Sequence, residues 1–230
     1  MSTDLDFSCI GLELERPTDA DHIAFATDIG TRATAILRGA YQDAADVAVR
    51  FVGAPEPHED GENPDTAVYR IQVEAQLRGK HIEAKSRFYK IDVTTDEDVD
   101  ESQVEDLIVT TFGINIDVRA YTAVQSISEK LRALLQKRRH FERNQNAGNW
   151  VPRHLFDLVP LRRLAKKDHL ALLPELFRRK CAARQLAVDP MTRAWLLDPR
   201  LLAKAREQHA RLADRAWQVL EEFVELLGLP

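Results

Sequence analysis

The sequence is poor in several things, and each scarcity narrows what the chain can be. Only two cysteines occur in 230 residues, Cys9 and Cys181. They lie far apart, so no zinc or redox spacing can be drawn and a disulfide scaffold is excluded. Such usage fits a reducing cytoplasm, which is the expected location. No apolar run approaches the roughly 18 residues of a membrane span, so no membrane partner is expected. The opening residues Met1-Ser2-Thr3-Asp4 lack the basic and then apolar segments of a secretory signal. Seven histidines are scattered without ligand spacing, and none is assigned to a metal. No internal repeat and no low-complexity tract is found.

What remains is an ordinary globular composition, 44% hydrophobic and 30% charged, in a length that serves one ample core or two modest ones. The charge is unevenly spread. Residues 1–118 hold 10 Lys+Arg against 25 Asp+Glu, a net −15, and residues 119–230 hold 22 against 12, a net +10, which together recover the overall −5. A basic half of this kind suits a polyanion; it equally suits two solvated surfaces that attract one another.

Hydrophobic periodicity changes near the same point. Ala67 to Ala75 alternates apolar and polar residues and reads as a half-buried strand, with Leu77 to His81 as a turn and Phe88 to Val93 as the return strand. Further strands are expected over Leu5–Ile10 and Val47–Val52, and a helix over Asp21–Tyr41 with Ile23, Ala26, Ile29 and Ala33 apolar. Ala54 to Asp65, rich in Pro, Gly and acids, reads as an exposed loop. After Tyr121 the pattern is helical. Ser126–Arg143 carries Ile127, Leu131, Leu134 and Leu135 on one face. A second helix opens near Pro152, with Pro160 expected to kink or end its first part. Others are expected at Leu170–Leu186 and Leu201–Leu227, the last begun by Asp198-Pro199 and closed by Gly228. The fold class is therefore α+β: a small mixed-sheet domain over 1–118, then a basic α-helical domain over 119–230. Leu170, Leu172, Leu173, Leu176 and Phe177 are expected in the core, with Trp195 and Trp217, while Trp150 caps a cluster or stacks on a base.

The segment with chemical content is Asp4-Leu5-Asp6-Phe7. On a strand, residues two apart share a face, and two carboxylates so placed call for a cation between them. Hard divalent ions such as Mg²⁺ take oxygen ligands, and a third acid from a neighbouring strand would complete a site for phosphoryl or nucleotidyl transfer. Asp92, within Lys90-Ile91-Asp92-Val93, is the candidate; pairing with a neighbouring Arg or Lys is its alternative role. The same spacing at Asp19/Asp21, Asp96/Asp98 and Asp98/Asp100 lacks apolar flanks and reads as solvated.

Four segments in order carry a resemblance. Ser2-Thr3-Asp4-Leu5-Asp6-Phe7, Phe88-Tyr89-Lys90-Ile91-Asp92-Val93, Ser128-Glu129-Lys130-Leu131-Arg132-Ala133-Leu134 and Arg153-His154-Leu155-Phe156-Asp157-Leu158 resemble motifs of the AbiEii/AbiGii nucleotidyltransferase toxins. That family has a DNA polymerase β-like catalytic fold. The resemblance covers roughly residues 2 to 180. It implies transfer of a nucleotide from an NTP to an RNA acceptor, tRNA above all, by a toxin with a cognate antitoxin. It further implies that Asp4, Asp6 and Asp92 bind Mg²⁺, with Asp92 assisting deprotonation of the attacking hydroxyl. Lys130 would then contact the triphosphate, and Asp157, with Arg153 nearby, would orient Lys130 or the nucleotide. Lys137, Arg138, Arg139, Arg143, Arg162, Arg163, Lys166 and Lys167 would hold acceptor phosphates, or stand as solvated helix faces.

The sequence departs from that family twice. The helix and glycine turn usual before the D-x-D strand do not precede Asp4, so the expectation is a longer reading frame or a shortened relative. His154 stands where an acid is usual, so either position, 154 or 157, can face the nucleotide. The competing function is a non-catalytic relative that binds RNA or a protein through its basic helices; a purely structural module with attracting halves is the third.

Overall fold

The computed structural model describes residues 4–8, seven positions between 20 and 35, and 47–51, 56–57, 67–75, 89–94, 98–111, 114–143 and 153–229. The chain forms two compact units, Met1–Val99 and Asp100–Pro230.

In the first unit the expected strands form a mixed sheet. β1 (Asp4–Ser8), β2 (Val47–Phe51), β3 (Glu56–Pro57), β4 (Ala67–Ala75) and β5 (Tyr89–Thr94) are arranged β1-β5-β4-β2, with β3 also on β4. β1 runs parallel to β5, and β4 is antiparallel to β5, β2 and β3. The register sorts the two faces by polarity. Leu5, Ile91, Ile71 and Phe51 form one row across the sheet; the next row, one residue along, is Asp6, Asp92 and Arg70. A one-residue slip of any strand would exchange its apolar and polar sets, so the alternation specifies the pairing. The segment 54–65, read as a loop, contributes the short strand β3, while the turn at 77–81 lies outside the described residues. The described positions between Ala20 and Ala35 are helical and exposed, as a helix there requires. Asp28 pairs with Arg32 at 2.8 Å across one turn of it. Its expected apolar positions, 23, 26, 29 and 33, are not among the described residues.

The second unit opens at Asp100, and its first residues are fixed by polar contacts. The Asp100 N–H donates to Gln125 Oε1 at 3.0 Å, and Asp100 Oδ2 accepts from Arg179 at 2.8 Å. A 3-10 turn, Glu101–Gln103, leads into the hairpin of β6 (Val104–Thr111) and β7 (Ile114–Tyr121). Thr122 N–H then donates to Gln103 O at 2.8 Å and closes the hairpin onto the first helix. These bonds attach the hairpin to the helices, so compactness divides the chain at Val99/Asp100, 19 residues before the charge changes sign at 118.

Among the described residues five helices follow: α1 (Ala123–Arg143), α2 (Arg153–Leu164), α3 (Leu173–Ala183), α4 (Thr192–Leu196) and α5 (Pro199–Leu226). Val124, Ile127, Leu131, Leu134 and Leu135 of α1 are buried against Leu155 and Leu158 of α2 and Leu176 and Phe177 of α3 in one core. The expected face of α1 is the buried one. Pro160 does not end α2, which runs on to Leu164. Its ring is exposed, and burial of Leu155, Leu158 and Val159 outweighs the one lost backbone bond. The expected helix over 170–186 is instead a 3-10 turn, His169–Leu172, followed by α3, because Pro174 takes a first-turn position. Leu172 in that turn is exposed rather than core. Asp198 caps α5 through the Arg200 N–H at 2.9 Å, and Gly228 ends it with φ +57°. α5 bends at His209. Trp195 and Trp217 pack at the rim of the core, partly buried. Trp150 lies outside the described residues.

Candidate functional site

The strand acids are placed by register. Asp6 and Asp92 are direct partners on the parallel strands β1 and β5, and Asp4, two residues back on β1, shares their face of the sheet. Neighbouring strands lie about 4.8 Å apart, so the three backbone positions fall within one small patch. The patch also contains cationic positions. Lys90 is the register partner of Asp4, and Arg70 that of Asp92. Both the metal-binding and the ion-pairing role of Asp92 are therefore open to it on this face. As a donor set the three carboxylates suit a hard divalent cation, which takes oxygen ligands and retains water or phosphate at its other positions. Among the described residues no group of three or more His, Cys, Asp or Glu is arranged to hold a metal ion. Cys181 is buried, and burial pushes its thiol up to about 12, so it is chemically quiet.

In the second unit α1 and α2 bring Lys130 and Asp157 together: Nζ stands 3.2 Å from Oδ2. Lys130 is partly buried and the Asp157 side chain is 45% exposed, so a ligand can reach the pair. His154, one helical turn before Asp157, is only 13% exposed, and its Nδ1 lies 4.0 Å from the same Oδ2, too far for a hydrogen bond. Burial, and then the charges of Lys130, Arg153, Lys137 and Arg132, push the ring down to about 3, so it is neutral at physiological pH. Of the two positions left open by the sequence, Asp157 is the accessible one. Arg153, the first residue of α2, is exposed beside them.

The turn of α1 that carries Lys130 is held from the other side. Glu129 pairs with Arg132 on the same helix and, at 3.5 Å, with the buried ammonium of Lys180 on α3, which also lies 5.3 Å from the centre of the Tyr121 ring. A buried Lys is stable only with such partners. Periodicity gave no sign of this contact, since Arg178-Arg179-Lys180 reads as a solvated run.

The proposed phosphate contacts divide in two. Arg138 is buried and donates to Asp198 Oδ2 at 2.7 Å; Arg139 pairs with Asp189 at 3.1 Å with its guanidinium 4.7 Å over Trp195; Arg162 donates to Glu222 at 2.7 Å. Arg138 and Arg139 are thereby tied into the rest of the unit, and Arg162 joins α2 to α5 through a pair that stays partly exposed, so all three already have carboxylate partners. Arg163, Lys166 and Lys167 are exposed, and Lys137 on α1 is half-buried. The Arg143 side chain lies outside the described residues.

A family model for the nucleotidyl transferase AbiEii toxin of type IV toxin–antitoxin systems matches residues 1–226. The chain belongs to this family. The matched span runs from before β1 to the last residue of α5, so the strand acids and the Lys130–Asp157 pair both lie inside it. No curated protein matches the chain. The AbiEii assignment agrees with the α+β architecture, carries a nucleotidyl transferase and toxin description, and implies an antitoxin as partner. Among the described residues no helix is long and apolar enough to cross a membrane.

Proposed function

We propose that this AbiEii-family chain is a Mg²⁺-dependent nucleotidyltransferase that moves NMP from an NTP to the 3′ end of an RNA, tRNA in the first instance. The observation that carries the reading is the register of β1 and β5, which makes Asp6 and Asp92 direct partners with Asp4 on the same face. Asp4, Asp6 and Asp92 would hold the Mg²⁺. When bound, the ion would neutralise phosphate oxygens and favour loss of the acceptor's hydroxyl proton.

The residues of the chain do the rest. Asp92 accepts the proton of the attacking hydroxyl. That oxygen forms a bond to the α-phosphorus while the α–β anhydride bond breaks and pyrophosphate leaves. Lys130, a mobile point charge, meets the developing negative charge of the leaving group, and Asp157 keeps its ammonium in place between turnovers. Arg153 adds a second cation for the nucleotide. Arg163, Lys166 and Lys167 offer exposed charge to the acceptor's phosphates. The toxic effect would follow from blocking the acceptor end, and a cognate antitoxin would counter it.

A second reading rests on a specific observation: Arg70 and Lys90 are the register partners of Asp92 and Asp4. Cations there can balance the acids without a metal, giving a non-catalytic relative that binds RNA or a protein through its basic helices. Incubation with each labelled NTP, Mg²⁺ and total tRNA separates the two. The transferase labels the RNA and Asp6→Ala abolishes the label; the binder retains RNA in a salt-sensitive way, consumes no NTP, and is indifferent to Asp6→Ala.

A further inference from the structure

The outer edge of the β6–β7 hairpin carries charges that complement themselves. Among the described residues β7 pairs with β6 alone, so no strand lies on its other side. The ladder decides which backbone groups that side presents. The Thr122 N–H donates to Gln103 O, which makes 103 and 122 a bonded pair. Bonded and non-bonded pairs alternate along an antiparallel ladder, so 105/120 and 107/118 are bonded while 106/119 and 108/117 are not. The N–H and C=O of Asp117 and Arg119 therefore point away from β6, and both residues are exposed. Such an edge is a template for a further strand.

The two edges of the hairpin differ in charge. β6 carries Glu105 and Asp106 and no cation, so it offers only acids to an incoming strand. β7 carries Asp117 and Arg119, one on either side of Val118. An antiparallel copy of β7 centred on Val118 sets each Asp117 opposite the Arg119 of the other copy, twice over. Opposite charges on directly opposed residues favour that register, and the outward N–H and C=O groups of the same two residues are in phase to bond. Arg119 is only loosely engaged in its own chain, 3.9 Å from an Asp106 whose side chain is 91% exposed. Leu107, 40% exposed, is the register partner of half-buried Val118, so the pairing also joins two Leu107–Val118 rows into one apolar row.

We infer that β7 is an interface with a second copy of this chain, in which two hairpins meet about a two-fold axis at Val118 and form one four-stranded antiparallel sheet. The interface is isologous, since one patch serves both copies. A lone two-stranded hairpin is marginal, and four strands with an apolar row are not.

Sedimentation velocity of the full chain over a range of concentrations tests this. The wild type rises from monomer towards dimer mass as concentration increases. Asp117→Arg sets arginine against arginine and Arg119→Asp sets aspartate against aspartate, and each weakens self-association about tenfold. An equimolar mixture of the two variants restores opposite charges at both positions and recovers the dimer, which a folding defect in either would not allow. The double swap Asp117→Arg/Arg119→Asp also restores it, and carries the test should a single variant fail to fold by its unfolding midpoint. A wild type that stays monomeric at every concentration would overturn the inference and leave the edge to a strand of another protein. A dimer untouched by both single variants, or a mixture that recovers nothing, would overturn it as well.

Discussion

At the scale of single residues, His154 shows how burial and neighbouring cations set a charge state that sequence cannot reveal. Its ring is held down to about 3 in the folded chain, against an ordinary value near 6.5. As pH falls through about 6.5 the unfolded chain takes up a proton that the folded chain refuses until about pH 3, so stability declines across that window. Between pH 7 and pH 5 the loss amounts to about 2 kcal/mol. His154→Asn has no such proton to refuse. Urea unfolding at the two pH values should therefore show the wild type losing about 2 kcal/mol more than the variant. Equal losses would mean that the folded ring titrates freely.

At the scale of elements, α5 depends on one carboxylate that serves two helices. Asp198 caps α5 and receives the buried guanidinium of Arg138 from α1, sixty positions earlier. Burial alone would raise this carboxyl, but hydrogen bonds from Arg200, side chain and backbone, and from Arg138 hold it down to about 2. Asp198→Ala removes the cap and strands a buried cation, and chemical denaturation should report a loss of about 3–5 kcal/mol. Asp198→Asn keeps a capping oxygen and isolates the charge component.

The same contacts explain what the sequence disclosed and what it hid. β1, β2, β4 and β5 were legible because their alternation is clean and local; α1 and α5 were legible from an apolar stripe and from Asp198, Pro199 and Gly228. The β6–β7 hairpin escaped, although Ile114 to Tyr121 alternates well, because Leu107-Ile108-Val109 breaks the period in its partner strand. The pairing of Asp6 with Asp92 joins strands more than eighty residues apart, which spacing within either strand does not specify. Arg138, Arg139 and Lys180 looked like solvent-facing charge because their partners, Asp198, Asp189 and Glu129, come from distant helices. A basic run is read as surface unless its partners are known.

At the scale of the whole molecule, the two units carry opposite charge. Residues 1–99 hold 10 Lys+Arg against 20 Asp+Glu, a net −10, and residues 100–230 hold 22 against 17, a net +5. Much of the positive charge in the second unit is already spent on internal ion pairs, so its exposed remainder determines any affinity for RNA. Replacing Arg163, Lys166 and Lys167 together by Ala should lower RNA retention, with the slope of log K against log salt reduced by about 2–3. The unfolding midpoint should stay close to that of the wild type, because none of the three is buried. Arg138→Ala should instead destabilise the fold.

The central claim is that acids on one face of the first unit's sheet act together in nucleotidyl transfer. Its most direct test is the rate of label transfer from NTP to RNA in Asp4→Asn, Asp6→Asn and Asp92→Asn, each confirmed as folded. The account predicts that every one of the three falls by about a thousandfold or more, since removal of groups acting on the reacting phosphate has effects of that order. Transfer by Asp92→Asn at the wild-type rate would contradict it and leave Asp92 as no more than the ion-pair partner of Arg70.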